Sequence, residues 1–506
     1  MNSADPPSPL PSSSSTPTTS APTTPDFRAP HILLAAIALG MLSSFLFSTA
    51  NDPASVGLNV SLWVAAVLLT LVLLTRRWRQ SLTWESRALL GTGAVFATLL
   101  AVRDTPLLTL LNSFSLAAAF GLALPNTRHT ALATGGLARH ALSLLESGIN
   151  GLIGSPLLIG LTPWTHLAAR SRQRRSAPYV RGVLLALPVV LLFGALLSSA
   201  DAAFGTLVSR TFSWDMNGIV THTLRTVFWA WLLAGVLYTA LLSSPWHAQT
   251  TQGLERTRLG MTEIHIVLGS VALLFAAFIG VQFTYFFGGS AHVAALTGVT
   301  YAEYARRGFF ELVTVAALVL PLLLGAYHLT PDRSRASYKL LNIVIVALVV
   351  MILASAWQRM MLYVSAYGLT EDRVLAVTFM TWVALALAWF ALSTTRGQYA
   401  RFTFVAVMLG FASILILNAL NPAALIVRAN LQHAARNPDR PLDTHYLTRL
   451  GADAVPALTA SAGQGSITGP ALDVLRARYA RPGGWRTWNR SRARAADLLG
   501  RSGAPR

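Results

Sequence analysis

The residues best equipped for chemistry lie in one short run, Tyr301-Ala-Glu-Tyr-Ala-Arg-Arg-Gly-Phe-Phe-Glu311. On a helix Glu303, Arg307 and Glu311 fall at i, i+4 and i+8 and form a single stripe. Arg307 can neutralise one of the two carboxylates but not fully both. Burial favours the protonated form of the spare acid, which is what a proton-coupled site needs. The plainer alternative is a salt-bridged helix entry that fixes depth and rotation. Two other segments can supply partners. Asp201 follows an apolar run, and the stretch from Arg359 to Arg373 carries Tyr363, Tyr367, Gly368, Glu371 and Asp372. Asp201, Glu303, Arg306, Arg307, Glu311, Arg359, Asp372 and Arg373 are therefore expected to converge at the outer leaflet, with Arg359 the nearest partner for Glu311 or Asp201. The tyrosines equally suit the aromatic belt of a membrane interface.

Further polar residues interrupt apolar stretches. His222 and Arg225 stand at i and i+3 and share a helix face, while His265 and Gln282 occupy one later run with Glu263 at its edge. Asn342 and Asn418 are expected to hydrogen-bond between helices. His222 and His265 fall at different depths, so no metal site is expected. No catalytic signature is present. The only lysine, Lys339, follows Tyr338 rather than glycine, which excludes a phosphate-binding P-loop. His-Glu-x-x-His, Gly-x-Ser-x-Gly and Gly-x-Gly-x-x-Gly are all missing. Cysteine is absent, so thiolate chemistry, disulfides and iron–sulfur clusters are impossible. No catalytic residue and no cofactor is expected, although membrane enzymes built from dispersed residues escape such motifs.

The elements that must position these groups follow from composition. Of 506 residues, 53% are hydrophobic and only 12% charged, and the mean hydropathy is +0.52. That excludes a disordered chain and argues against a soluble enzyme. A hydrocarbon core about 30 Å thick needs about 20 apolar helical residues. Eleven stretches qualify, at roughly 31–49, 56–75, 88–102, 106–124, 180–199, 219–241, 264–287, 308–329, 340–357, 374–394 and 402–420. The third and fourth are parted only by Arg103, Asp104 and Thr105, which predicts a tight helical hairpin. Pro188 and Pro321 fall inside spans and predict kinks. The apolar stretch 141–161 contains Glu146, Gly148, Gly151, Gly154 and Pro156, and reads as interfacial or re-entrant. The expected fold class is all-α: a polytopic integral membrane protein of about 11 transmembrane helices with a small helical C-terminal region.

Orientation follows from basic residues, which flank spans on the cytoplasmic side. With the N-terminus inside and 141–161 not crossing, inside loops hold 17 Lys and Arg and outside loops 6. This places the N-terminus in the cytoplasm and the C-terminus outside it. Most of the net charge of +19 is thereby a topology signal.

Residues 1–25 contain 19 Pro, Ser or Thr, so 1–30 reads as a disordered tail, without the positive region of a secretory signal. The membrane domain is expected over 31–420, and 421–506 is a polar, basic, partly helical region with 13 Arg and 5 Asp. Asn421 and Pro422 predict a capped helix start, with helices at 423–436, 444–450 and 470–479, and a frayed end from Trp485. The expected partners are the lipid bilayer and, through 421–506, an envelope protein or anionic lipid. Nucleic acid is not expected, because the basic region lies on the outer face.

Four segments carry a resemblance. SSADAAF at 198–204, TYAEYARRGFFEL at 300–312, RMMLYVSAYGLT at 359–370 and DTHYLTRLGADAVPAL at 443–458 resemble an uncharacterised family of bacterial multi-pass membrane proteins, filed as a domain of unknown function. The similarity runs from about residue 88 to 460. It implies a cytoplasmic (inner) membrane protein with this span order and supplies no activity. Three readings remain: a permease-like or export-associated protein using the outer-leaflet cluster, a non-catalytic sensor or assembly factor of the envelope, and an envelope enzyme on a lipid-linked substrate. In the third, Glu303 or Glu311 would be the acid–base and the arginines would hold phosphate.

Overall fold

The computed structural model describes residues 26–48, 56–128, 132–164, 216–243, 260–287, 309–330, 336–438, 442–462, 469–479 and 484–501, with scattered positions between 186 and 204. Among the described residues there is no strand. Among the described residues eleven long helices come first: α1 (Ala29–Leu46), α2 (Leu58–Arg77), α3 (Trp84–Val102), α4 (Pro106–Ala123), α5 (Leu137–Leu161), α6 (Met216–Leu241), α7 (Met261–Phe287), α8 (Phe309–Leu329), α9 (Ala336–Tyr367), α10 (Glu371–Arg396) and α11 (Phe402–Leu420). Five shorter ones follow: α12 (Pro422–Arg436), α13 (Thr444–Arg449), α14 (Val455–Ala462), α15 (Gly469–Tyr479) and α16 (Arg490–Arg501). Ten of the described helices are long and apolar enough to cross a membrane, and α8 adds the shorter apolar stretch Glu311–Tyr327. The protein is an all-α polytopic membrane protein.

Local signals explain where the helices start and stop. The Thr83 side chain accepts a hydrogen bond from the Ser86 amide at 3.3 Å and caps α3. Pro106 opens α4 where a missing N–H costs nothing, so α3 and α4 form the expected hairpin about Arg103–Thr105. Gly397, at φ +68°, ends α10 in the left-handed conformation. Asn421, at φ 53°, closes α11 and caps α12 by accepting from the Ala424 amide at 3.2 Å. The asparagine does both because its short polar side chain tolerates the left-handed region.

The chain divides into two compact units, 1–34 with 156–214, and 35–155 with 215–506. In the first, Asp26 pairs with Arg28 at 2.7 Å, and the Asp26 amide donates to the Leu161 carbonyl at 2.9 Å. The second contains one large core built from α7 to α11, with Tyr338, Ile345, Val349, Val383, Leu387 and Phe390 at its centre. A further core joins the span ends to the C-terminal helices: Leu108, Val374 and Leu417 pack with Ile426, Leu447, Val455, Leu475 and Leu499. Helices α12 to α16 therefore form a cap with a shared apolar interior. Each buried leucine or valine contributes about 1.5–3 kcal/mol.

Three expectations need correction. First, 141–161 is not broken: α5 is one continuous helix of 25 residues running through Pro156. Its polar and small residues are packing devices. A Cβ at Gly154 would lie 2.8 Å from the Gly235 Cα, and a Cβ at Gly235 would collide with the Asn150 carbonyl oxygen, so α5 and α6 touch backbone to backbone. Buried Glu146 accepts from the Ser243 hydroxyl at 3.2 Å. Second, α9 runs on to Tyr367 and reaches 32 residues, so Arg359, Tyr363 and Tyr367 lie on a helix rather than in a loop. Third, the stretch from Trp485 is not frayed but folds into a 3-10 turn at Trp485–Thr487 and helix α16. Pro321 lies inside α8, which continues past it. The tail 1–25 and most of the expected span 180–199, with Pro188, lie outside the described residues.

The close α5–α6 approach gives a test. Gly235→Ala overpacks the crossing and is expected to destabilise the protein by about 1–3 kcal/mol. Gly148→Ala, with nothing within 4 Å of its Cβ, is expected to be neutral or slightly stabilising. Thermal unfolding of the detergent-purified protein distinguishes them, and equal effects at both glycines would refute the packing role.

Candidate functional site

The cap is pinned by one carboxylate. Gly451, at φ +94°, lets the chain pass so close to the hairpin turn that any Cβ there would strike the Asp104 backbone. That approach delivers Asp453, whose side chain is 1% exposed. Asp453 Oδ2 accepts from the Asp104 amide at 2.6 Å, the Thr105 amide at 2.9 Å and the Thr105 hydroxyl at 2.8 Å. Its Oδ1 accepts from the Ser491 hydroxyl at 2.6 Å and from Arg103 at 3.4 Å. The free amides of the α4 N-terminus thus meet a negative charge, an arrangement the helix dipole favours. Around this centre Arg492 pairs with Asp104 at 2.9 Å, and Asn489 donates to the Leu100 and Arg103 carbonyls at 3.0 and 2.8 Å. Burial raises the Asp104 carboxyl above its ordinary range, against the pull of Arg492. Burial, with Asp104 close by, pushes the Tyr479 phenol up to about 12.

Beside this anchor the cap and the α9–α10 link enclose an open pocket of about 340 Å³, a size suited to a small ligand. Gly368 to Thr370 form one wall, α12 another, and Leu442 to Leu447 the third. Gly368 adopts φ +79° with the Asn430 side chain against its Cα face, where a Cβ has no room. Asn430 brackets the link by accepting from the Leu369 amide at 2.7 Å and donating to the Leu369 carbonyl at 2.8 Å. Nε2 of His433 faces the Ser365 carbonyl at 3.0 Å, which assigns the proton to that nitrogen. The Tyr446 hydroxyl accepts from the Glu371 amide at 2.9 Å, and burial raises its pKa. Asp443 caps α13 through the Tyr446 amide at 2.9 Å. The lining offers aromatic faces, a carboxylate, an imidazole and leucines.

The expected outer-leaflet residues are placed as follows. Glu303, Arg306 and Arg307 lie outside the described residues. Glu311 is exposed in the first turn of α8. Asp201 accepts from the Phe204 amide at 2.9 Å, within the first compact unit. Arg359 reaches Gln282 at 3.2 Å, and Ser355 donates to the same Gln282 oxygen at 3.3 Å, so a polar chain links α9 to α7. Arg373 lies 4.1 Å over the Tyr363 ring and donates to the Gly368 carbonyl, while Asp372 is exposed beside it. His222 faces the Ser44 hydroxyl at 3.0 Å, with exposed Arg225 one turn on. His265 faces Ser337 at 3.1 Å. Asn418 exchanges hydrogen bonds with Asn112 across α11 and α4 at 3.0 and 2.8 Å, as an interhelical amide should. Asn342 instead donates to Tyr338 of its own helix at 3.0 Å. No group of three or more metal-binding side chains occurs among the described residues.

Sequence reading missed Asp104, Asp453, Asn489 and Arg492. The available signal was an isolated acid after a glycine, Gly451-Ala-Asp453, in an otherwise apolar stretch.

Asp453→Ala strands its buried donors and is expected to cost about 3–5 kcal/mol of cap docking. Limited proteolysis should then cleave 442–501 under conditions where the parent chain resists. Protection should also depend on pH. A carboxyl with a raised folded pKa contributes stability at acid pH that is lost as pH rises through that pKa. Raising pH above the ordinary carboxylate range should therefore loosen the cap, and Asp104→Asn should flatten that dependence.

Comparison with known proteins gives one match. Residues 90–461 match the family model described as "Domain of unknown function (DUF4153)". No curated protein and no solved structure matches the chain. The family match takes in the α3–α4 hairpin from residue 90, the α9–α10 link, the pocket and Asp453 alike, and the chain belongs to this family.

Proposed function

We propose that this protein is a non-catalytic sensor or assembly factor of a bacterial cell envelope. It is taken to sit in the cytoplasmic membrane with its N-terminus inside and its cap outside, the side that the Lys and Arg distribution favours on the condition that α5, although a continuous helix, does not cross. The reading is carried by the pocket, whose walls come both from the link between two spans and from the cap. A ligand there touches Gly368–Thr370 and α12 at once, so occupancy can bias how α9 and α10 are held. Recognition then belongs to the aqueous end of the protein rather than to a transmembrane passage.

A permease-like role is the second reading. It is favoured by the Arg359–Gln282–Ser355 chain between α7 and α9, polar groups that are costly at membrane depth.

Because the natural chain lacks cysteine, single substitutions separate the two readings cleanly. In intact cells, a membrane-impermeant maleimide is expected to label Asp473→Cys on the cap surface and Ala434→Cys in the pocket, and to leave Ser355→Cys untouched. Labelling of Ser355→Cys as fast as Asp473→Cys would establish a water path and replace the sensor reading with the permease. Labelling of Asp473→Cys only after permeabilisation would sink the outward-facing cap.

A further inference from the structure

The last described segment lies across the ends of three membrane helices. The Leu58 amide, at the start of α2, donates to the Trp488 carbonyl at 3.0 Å. Arg486 donates to the Ser48 carbonyl just past α1 at 2.7 Å, and Ser491 donates to the Val102 carbonyl at the end of α3 at 2.9 Å. These carbonyls and amides mark the boundary where span backbones leave the hydrocarbon, so Trp485–Ser491 sits at the level of lipid headgroups.

What this segment turns outward is specific. Trp485 is 54% exposed and Trp488 45%. The Trp485 ring lies 6.1 Å from that of Phe45, and the Arg486 guanidinium sits 4.2 Å over the same phenyl ring. Phe45 ends an exposed stripe of α1 with Ile37 and Met41, a helix face whose natural solvent is acyl chain. Trp485 thus prolongs a lipid-facing surface to its rim, the depth at which indole is most favourable. On α16 the arginines divide between two jobs. Arg492 points in to Asp104, while Arg490 and Arg494, at i and i+4, are exposed on one face of the helix that follows Trp488 in the chain. Ala495 and Leu499 hold the opposite face in the cap core.

We propose that Trp485, Trp488, Arg490 and Arg494 form a binding surface for the headgroups of anionic phospholipid, anchoring the cap on the bilayer. The indoles enter the interface and the two guanidiniums take the phosphate oxygens, which a planar fork binds in pairs. The surface is separate from the pocket, and it serves either leaflet, so it stands whichever side the cap occupies.

The test uses the full chain purified in detergent. Phosphatidylglycerol or phosphatidylcholine is titrated in, and thermal stability and lipid retention in native mass spectrometry are read. Anionic lipid is expected to raise Tm and to be retained, and phosphatidylcholine to do neither. Two charges worth about fivefold each should make R490Q/R494Q about 25-fold weaker for phosphatidylglycerol. Both side chains are exposed, so the variant should keep the parent Tm without lipid. Equal stabilisation by the two lipids, or an unchanged response of R490Q/R494Q, would overturn the proposal. So would an equal Tm rise with inorganic phosphate alone, because the site would then bind a free anion. A fall in the lipid-free Tm of R490Q/R494Q would overturn it as well, since the arginines would then be structural.

Discussion

A buried carboxylate tolerates no neglect. Charge removed from water must be met by hydrogen bonds or it is neutralised. Asp453 is met by two backbone amides, two hydroxyls and a guanidinium, drawn from the α3–α4 turn and from the start of α16. Much else follows from that demand. The hairpin turn must be short, so that Asp104 and Thr105 present their amides together. Residue 451 must be glycine, because the approach leaves no space for a side chain. The C-terminal segment must return to the span ends, since Ser491 completes the shell. An arginine one residue on is then placed to neutralise Asp104.

The same economy governs the polar residues at depth. Among apolar helices there is little hydrophobic drive to associate, and close backbone contact and amide pairs do the work instead. Gly154 against Gly235 and Asn112 against Asn418 are the clearest cases. Glu146 and Ser243 extend the rule to an acid. Polar residues of this kind are the ones that invite a catalytic reading when only the sequence is at hand, because their expense is visible and their partners are not.

That asymmetry explains what the sequence disclosed. Span positions were legible because twenty apolar residues in a row leave the chain few options, and the α3–α4 hairpin because three residues cannot hold two helices apart. Helix starts at Asn421 and Pro422 were legible because capping is local. The 141–161 stretch was misread because glycine and proline signal breaks locally and packing globally, and only Gly235 on another helix decides between them. The Asp453 centre was hidden because its donors lie about 350 positions earlier in the chain, at Arg103–Thr105, and 38 later, at Ser491, and no period or motif connects residues so far apart. The end from Trp485 looked frayed for the same reason: its stability comes from Leu58, Ser48 and Val102, not from its own helix propensity.

The cap and the membrane helices therefore cannot be independent in energy. Leu108, Val374 and Leu417 belong to helices that run into the bilayer, yet their side chains are buried against the cap. Displacing the cap would expose those side chains together with the Asp453 carboxylate, a penalty far above thermal energy. Small shifts are another matter. The link at Gly368–Thr370 is held by the reciprocal hydrogen bonds of one amide, Asn430, and by the Tyr446 hydroxyl. These are individually modest interactions of about 1 kcal/mol each, and they border the pocket. A ligand that replaces or strengthens them works against a weak restraint, while the Asp453 centre stays fixed. The firm anchor and the soft link are what a site needs if occupancy is to change helix geometry without unseating the cap.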